Sequence, residues 1–209
     1  MAAGLVPGTD GIRRCWWAAG SADYAAYHDA EWGRPVTDDV RLFEKLTLEG
    51  FQSGLSWLTI LRKRENFRAA FAGFDFWRVA RFGRRDVARL LADAGIVRHR
   101  GKIEAAIANA RAACRIVEAE GSLAAFVWRY EPAAASRPRR ITRAVLAGMS
   151  ASPESTALAR DLRKRGFRFV GPTTVYAFMQ AMGLVNDHLE GCGARDPVER
   201  SRARLQRPV

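Results

Sequence analysis

Helical periodicity runs through almost all of this 209-residue chain and limits the fold more than any other sequence feature. In the segment after Thr37, apolar residues recur every two or three positions, with Val40, Phe43, Leu46 and Leu48 giving an apolar face. Alternating strand patterns are nearly absent, and no repeat of about 20 to 50 residues is visible. These observations predict an all-α protein.

Local signals indicate where several helices begin and end. Thr37 is placed to cap the helix over DDVRLFEKLTLEG, and a second amphipathic stretch follows at SWLTILRKRENFRAAF. The glycine that ends RRDVARLLADAG suits a C-terminal cap, and Ser152 followed by Pro153 is typical of an N-cap and first helical turn. HRGKIEAAIANARAACRIVEAEG has an apolar stripe, and TTVYAFMQAMG is apolar enough to form a buried helix.

The two ends of the chain lack a periodic apolar pattern. We therefore predict a flexible N-terminal extension over residues 1–13 and a flexible arginine-rich tail over residues 194–209. Residues 14–193 are predicted to form a single domain with two helical lobes. Within it, the Pro-, Ala- and Ser-rich segment EPAAASRPRRITRAVLAGMSASP is short enough to be an ordered crossing between helices.

Composition indicates the compartment and the kind of partner. No apolar run approaches the roughly 18 residues that span a bilayer, and the first residues lack a basic leader with an apolar core, so a cytoplasmic location is expected. Three cysteines do not make a disulfide framework, which leaves thiols free for metal. The net charge of +12 suits nucleic acid, although an arginine-rich codon bias explains part of it, because only four of the 34 basic residues are lysines.

Two cysteines and two histidines near the chain ends form a candidate metal site. His188 and Cys192 are four residues apart and can meet one ion from one helical face or turn, and Cys15 and His28 supply two further ligands. The spacing from Cys15 to His28 is not that of a zinc finger, so a core histidine beside a buried thiol is an open alternative. If the ion is zinc, it joins the chain ends and has no open position for catalysis. Cys114 is predicted to be a small core residue.

The segment from Gly166 to His188 resembles the helix-hairpin-helix of DNA repair glycosylases, in which backbone amides at a helix start bind a DNA phosphate. The match at Gly171 and Thr174 is good, but Phe169 stands where that family usually has glycine, and an ordinary helical corner is the alternative. Two departures concern the chemistry. Thr173 replaces the lysine that forms a Schiff base in strand-cleaving members, and Asn186 replaces their catalytic aspartate, with Asp187 displaced by one residue.

Several motifs taken together are similar to the bacterial 3-methyladenine DNA glycosylases of type I, called Tag. They cover almost everything from Arg14 to Cys192 and are highly specific in this order: RCWW, YHDAEWG, LEGFQSGLSW, LRKRENFR, DAGIVRHRGKI, KRGFRFVG, and GLVNDH with Cys192. The resemblance implies an all-α glycosylase fold, one structural zinc ion held by Cys15, His28, His188 and Cys192, and a monomer that removes 3-methyladenine from alkylated double-stranded DNA.

The resemblance also implies a set of site residues. Glu49 would read the edge of the base as the catalytic residue, within a pocket formed by Tyr24, Tyr27, Trp32, Leu55 and Trp57. The DNA backbone would contact Phe169, Val170, Gly171, Thr173 and Thr174, with Arg98, Arg100 and Arg168 as further candidates. Taken alone, Glu49 is typical of a solvated helix end and Trp57 of a core residue. Two other hypotheses stay open, a DNA-binding module without chemistry and a scaffold whose charge is purely compositional.

Overall fold

In the computed structural model, which describes residues 4–209, most of the chain is helical, and the predicted all-α fold class is confirmed. The α-helices of this part are α1 (Ala22–Ala30), α2 (Asp39–Gln52), α3 (Trp57–Arg62), α4 (Arg64–Ala70), α5 (Phe76–Val79), α6 (Arg84–Ala92), α7 (Arg100–Glu120), α8 (Leu123–Trp128), α9 (Arg143–Ala147), α10 (Pro153–Lys164), α11 (Pro172–Ala181) and α12 (Arg195–Arg204). Short 3-10 helices cover Trp16–Gly20, Ala72–Phe74 and Ala134–Ser136. None of the helices described is long and apolar enough to cross a membrane.

The helix boundaries agree with the sequence signals in part. Ser152 caps α10 by accepting a hydrogen bond from the Ser155 amide, with proline in the first turn as predicted. The cap of α2 is Asp38 and not Thr37, because the Asp38 carboxylate accepts a hydrogen bond from the Arg41 amide. The second amphipathic stretch is two helices that meet at Lys63.

Glycine does not end α6, which corrects another predicted boundary. The helix ends at Ala92, and Asp93 follows with φ −77° and ψ 106°. The Asp93 carboxylate accepts a hydrogen bond from the Gly95 amide at 2.7 Å, which forms a local turn without a left-handed glycine.

Helix α2 lies at the centre of the core and packs against α3, α7, α8 and α11. Phe43 of α2 belongs to a cluster of fully buried phenylalanines that also includes Phe67 and Phe74. Burying each such ring contributes about 1.5–3 kcal/mol to folding. Because ten consecutive residues of α2 are buried, three charged side chains on it are buried as well: Glu44, Lys45 and Glu49. Buried charges require partners: Lys45 pairs with Glu49 at 2.7 Å, and Glu44 pairs with Arg68 at 2.8 Å.

Residues 4–15 form an ordered hairpin, which corrects the prediction of a flexible N-terminal extension; residues 1–3 lie outside the described part. Strand β1 (Leu5–Pro7) pairs antiparallel with β2 (Arg13–Cys15), so that Leu5 is opposite Cys15. The Arg14 guanidinium bonds to both Asp10 and Asp29. The order therefore comes from a short turn and ion pairs, which leave no mark on apolar periodicity.

The arginine-rich end of the chain is also ordered, in contrast to the predicted flexible tail. Helix α12 buries Val198 completely. The Glu131 carboxylate binds Arg202 at 2.8 Å and Arg207 at 2.9 Å, and these pairs fix the helix and the residues after it to the body of the protein. The buried Val198 and the carboxylate of Glu131 therefore hold α12 in place, although its sequence has no apolar stripe.

Candidate active site and metal centre

A cavity of about 390 Å³ opens beside α1, α2 and α3, and most of the predicted pocket residues meet in it. Glu49 lies in its wall together with Tyr24, Tyr27, Trp32 and Trp57. Leu55 is not among the lining residues, and its side chain is 41% exposed in the turn between α2 and α3. The sequence did not single out the remaining lining residues, which are Trp16, Trp17, Lys45, Gln52, Leu146, Met149, Ala177 and Gln180.

The aromatic walls of this cavity, here called the base pocket, hold one another in place. The Tyr27 and Trp57 rings are 5.5 Å apart, and Trp17 packs edge-on against Trp32 at 5.0 Å. The Tyr24 hydroxyl accepts a hydrogen bond from the Leu58 amide at 3.0 Å, which ties α1 to the start of α3. Such rigid aromatic faces are suited to stacking on a flat ligand.

Glu49 and Lys45, one helical turn apart on α2, form a buried ion pair in the base pocket. The Lys45 Nζ lies 2.7 Å from Glu49 Oε1, and the two side chains are 7% and 5% exposed. The ammonium also donates a hydrogen bond to the Tyr27 hydroxyl at 2.9 Å and lies 3.2 Å from the centre of the Trp57 ring. Burial lowers the pKa of Lys45, and the Glu49 carboxylate opposes that effect. Burial, reinforced by Glu49, raises the pKa of Tyr27 well above its ordinary value, which keeps the phenol neutral.

A second, much smaller cavity of about 20 Å³ lies behind the base pocket and shares Tyr27, Lys45 and Trp57 as lining residues. Its wall includes Glu31, which binds Arg64 at 2.6 Å. Burial raises the pKa of Glu31, but hydrogen bonds and the charge of Arg64 outweigh burial and lower it overall.

Four predicted ligands come together where the chain ends meet. Cys15, His28 and His188 are fully buried, and Cys192 is 5% exposed. The His28 Nε2 lies 3.1 Å from His188 Nδ1 and 3.4 Å from Cys192 Sγ. The ligand atoms all lie within 4.8 Å of one another, so the predicted metal-binding group exists as a cluster that can hold one ion.

The hydrogen bonds around the cluster engage the outer nitrogen of each histidine and leave the inner nitrogen free to bind a metal. His28 Nδ1 lies 2.7 Å from Asp29 Oδ1, and His188 Nε2 lies 3.0 Å from the Trp32 carbonyl oxygen. Each outer nitrogen thus carries the proton, and the inner nitrogen presents its lone pair to the cluster. The hydrogen bond that Cys15 and Cys192 share lowers the pKa of Cys192, while this hydrogen bond and burial raise the pKa of Cys15.

The predicted DNA-binding hairpin lies between α10 and α11. Phe169, found where a glycine is expected, has a φ of +56°, so the chain keeps the left-handed backbone conformation without the glycine. Gly171 is the N-cap of α11, and the first amides of that helix have no partner within the helix. The Asn109 side chain bonds both the amide and the carbonyl of Arg168, at 2.8 and 3.0 Å.

The candidate arginines and the remaining hairpin residues differ in exposure. Arg98, Arg100, Arg168 and Thr173 are exposed, Gly171 and Thr174 are half-buried, and Val170 is buried. Arg100 is paired with Glu104 at 3.4 Å.

Neither Asn186 nor Asp187 lines the base pocket. The Asn186 amide donates to the Arg195 carbonyl oxygen and to Glu199. Asp187 is fully buried and accepts hydrogen bonds from Tyr176 at 2.7 Å and Gln180 at 2.9 Å, and it pairs with Arg137. Asp187 thus orients Gln180, a lining residue, without entering the pocket itself.

A larger cavity of about 510 Å³ lies between α12 and the Pro-rich crossing. Its arginines are engaged by the protein: Arg202 and Arg207 bind Glu131, and Arg195 donates to the His188 carbonyl oxygen. Each of these three arginines therefore has a partner within the protein.

A family model for methyladenine glycosylases matches residues 17–196. The chain belongs to the methyladenine glycosylase family. It is 49% identical over 185 residues to the DNA-3-methyladenine glycosylase 1 of Escherichia coli, which covers 87% of this chain and 96% of that relative. The resemblance drawn from the sequence motifs is thereby confirmed.

Solved structures of the family have the same fold. A crystal structure of 3-methyladenine DNA glycosylase I superimposes with a TM-score of 0.80 at 49% identity and covers 87% of this chain and 99% of that one. A second structure, of the Staphylococcus aureus enzyme and concerned with its recognition of 3-methyladenine, has a TM-score of 0.79 at 36% identity and covers 86% and 94% of the two chains.

Proposed function

We propose that this protein is a DNA glycosylase that excises 3-methyladenine from alkylated double-stranded DNA by hydrolysing the N-glycosidic bond. The observation that carries the proposal is the base pocket, in which the buried carboxylate of Glu49 lies among the rings of Tyr27 and Trp57. The chain's membership of the methyladenine glycosylase family supports the same activity.

The chemistry of the substrate matches this pocket. A damaged base must leave the stack before its glycosidic carbon can be attacked, and an aromatic pocket holds it between ring faces. In DNA, N3-methylated adenine carries a positive charge, so a carboxylate and electron-rich rings select it over neutral adenine. Bond cleavage neutralises the base, which makes it a good leaving group and reduces the need for a strong acid or base. An asparagine at position 186 is compatible with such a reaction.

Glu49 is proposed to recognise the edge of the base as its primary role, with Tyr24, Tyr27, Trp32 and Trp57 as the pocket around it. The pocket contributes further by desolvation and by holding the base in place. Leu55, which is exposed beside the lining residue Gln52, belongs to the rim of this pocket in our proposal. Thr173 has no amine with which to form a Schiff base, so we propose glycosylase activity without strand cleavage.

The hairpin is proposed to bind the DNA backbone through Phe169, Val170, Gly171, Thr173 and Thr174. Free amides and the positive end of the α11 dipole favour a phosphate there, and the exposed Arg168 adds a positive charge. We propose that the protein acts as a monomer.

The metal of the four-residue cluster is proposed to be zinc. Tetrahedral zinc with Zn–N bonds of about 2.0–2.1 Å and Zn–S bonds of about 2.3 Å separates its ligand atoms by roughly 3.3–3.8 Å. The distance of 3.1 Å from His28 Nε2 to His188 Nδ1 and that of 3.9 Å from Cys15 Sγ to His188 Nδ1 are close to these values, and all the ligand atoms lie within 4.8 Å of one another. When bound, the ion would join the N-terminal hairpin to the end of the chain. Thiol ligands of this kind suit a reducing compartment, and we propose a cytoplasmic location.

The proposed activity is tested by incubating the protein with methylated duplex DNA and separating the released bases by chromatography. We expect free 3-methyladenine and abasic sites, and a loss of at least about 100-fold in the Glu49→Gln variant. Glu44→Gln is the matched control, since Glu44 lies on the same helix, is buried, and does not line the base pocket. Retained excision by Glu49→Gln would remove the role assigned to Glu49. DNA binding without base release would favour a binding module instead.

A further inference from the structure

The Lys45 ammonium occupies the place in the base pocket that suits a cationic base. It makes three contacts there: an ion pair with Glu49 at 2.7 Å, a hydrogen bond to the Tyr27 hydroxyl at 2.9 Å, and a position 3.2 Å from the centre of the Trp57 ring. A carboxylate and two aromatic rings are the groups that recognise a flat organic cation. The pocket therefore holds a cation of its own, tethered to α2.

A base and this ammonium cannot share the same face of Trp57. Stacked rings approach to about 3.5–4.0 Å, so a base on that face would overlap an ammonium 3.2 Å from the ring centre. The Lys45 ammonium also occupies one of the two carboxylate oxygens of Glu49, Oε1. Stacking of a base on that face thus requires the lysine side chain to move.

The small cavity behind the base pocket offers the ammonium a second position. Lys45 lines both cavities, and the second one contains the carboxylates of Glu31 and Glu44, which are paired with Arg64 at 2.6 Å and Arg68 at 2.8 Å. Its volume of about 20 Å³ holds roughly one water molecule, which is comparable to an ammonium group. Rotation about the lysine side-chain bonds is sufficient for the transfer, and the backbone of α2 need not move.

We infer that the Lys45 ammonium is a cation that competes with the base for the base pocket. The charged substrate base displaces the ammonium, and the ammonium displaces the neutral product. This inference rests on the proposed function. The methylated base in DNA is positively charged, so it can take the place of the ammonium beside Glu49 and still balance the charge of the carboxylate. After the glycosidic bond breaks, the base is neutral and no longer balances Glu49, so the ammonium returns and displaces it. Lys45 in this way promotes product release without contacting the reacting bond.

The first test compares Lys45→Met with Lys45→Arg, which keeps a positive charge. We expect Lys45→Met to bind free 3-methyladenine about tenfold more tightly than the wild type, the order expected when a competing buried ion pair is removed. Product inhibition should strengthen equally, and steady-state turnover should fall below the single-turnover rate. Lys45→Arg should resemble the wild type. Unchanged product affinity in a folded Lys45→Met protein, checked by circular dichroism, would overturn the inference.

The second test uses the wild-type protein and does not depend on a variant that folds. The chain has only four lysines, so ¹³C-lysine labelling gives a simple spectrum. The Lys45 Cε–H signal should be displaced by the Trp57 ring current and should move towards its ordinary position as 3-methyladenine is added. Lys102, which is buried against the carbonyl oxygens of Phe51 and Ser53, is the internal control. A Lys45 signal that stays constant at saturating 3-methyladenine contradicts the inference.

These outcomes separate the inference from the function on which it rests. If the wild-type protein releases no 3-methyladenine from methylated DNA, the proposed function fails and the role of Lys45 falls with it. Release of 3-methyladenine can instead be normal while Lys45→Met leaves the affinity for 3-methyladenine unchanged and the Lys45 signal stays constant at saturating 3-methyladenine. In that case only the role of Lys45 is wrong.

Discussion

Gly50 lies directly against Phe169, so the helix of the base pocket touches the hairpin proposed to bind DNA. A Cβ atom at Gly50 would lie 3.3 Å from the Phe169 Cβ and 3.6 Å from its carbonyl oxygen. The preceding residue, Glu49, lies in the wall of the base pocket. The contact therefore fixes the distance between the carboxylate that would read the base and the amides that would hold the phosphate.

Replacing Gly50 with alanine should displace the hairpin while leaving the helix intact. The methyl group requires Phe169 to shift by a few tenths of an ångström, whereas alanine favours the helix by up to about 1 kcal/mol. We expect nearly unchanged thermal stability and a fall of about 3- to 10-fold in kcat/KM on methylated DNA, since misplacement of a bound group lowers the rate steeply.

Gly148→Ala provides the control for that substitution. A Cβ at Gly148 would meet only the Val145 carbonyl oxygen, at an ordinary distance of 3.7 Å. This variant should retain wild-type kcat/KM. Equal activity of Gly50→Ala and Gly148→Ala would show that the contact with Phe169 does not position the hairpin.

The sequence alone predicted the parts of the fold and site that rest on local chemistry. Periodicity was sufficient for the helical class, whereas spacing left a core histidine open as an alternative, and the resemblance to a known family was needed to predict the cluster of Cys15, His28, His188 and Cys192. The serine and proline at the start of α10 act through the nearest amides, so that boundary was predicted correctly as well.

The features that sequence reasoning missed depend on contacts between distant segments. Lys45 has the pattern of an ordinary helical residue, and its position in the pocket becomes visible only once α1 and α3 pack against α2. The order of α12 depends on Glu131, more than 60 residues earlier in the chain. At Phe169, a left-handed conformation without glycine is maintained by the neighbouring Asn109 and Gly50, which no local rule anticipates.

Loss of the metal ligand in a Cys192→Ser variant should lower metal content and stability together. A structural ion that binds only the folded state contributes its binding free energy to folding. We expect less than one zinc per chain by atomic absorption, and a fall in Tm of about 5–15 °C, corresponding to roughly 2–5 kcal/mol. Cys114→Ala is the matched control, because Cys114 is buried outside the cluster. Full zinc content in Cys192→Ser would exclude the proposed ligand set.

The Glu31–Arg64 pair behind the base pocket should make stability depend on pH in the acidic range. The folded-state pKa of Glu31 is lowered, so the pair stabilises the fold above the ordinary pKa of about 4.5, and this contribution disappears as pH falls through the lowered value. Arg64→Met should therefore cost about 1–2 kcal/mol at pH 7 and progressively less below pH 4, measured from urea unfolding midpoints. Arg41, which is 51% exposed and 3.9 Å from Glu31, should matter little when changed to Met. A penalty for Arg64→Met that is constant from pH 7 to pH 3 would contradict this assignment.

Removing the side-chain amide of Asn109 should weaken DNA binding without altering the base pocket. This buried amide satisfies both backbone groups of Arg168 and so holds the hairpin next to α7. Losing two buried hydrogen bonds costs about 1–3 kcal/mol in total, part of which falls on the hairpin. For Asn109→Ala we expect an affinity for duplex DNA about tenfold lower at moderate salt, and an affinity for free 3-methyladenine within about twofold of the wild type. Asn66→Ala, which removes a single exposed hydrogen bond to the Gly95 carbonyl oxygen, should change neither value.

Two results would contradict this role of Asn109. If Asn109→Ala binds DNA as tightly as the wild type, the hairpin does not need the two hydrogen bonds of Asn109 to bind a phosphate. If the affinities for 3-methyladenine and for DNA fall equally, Asn109 affects the base pocket through α2 and not the hairpin alone.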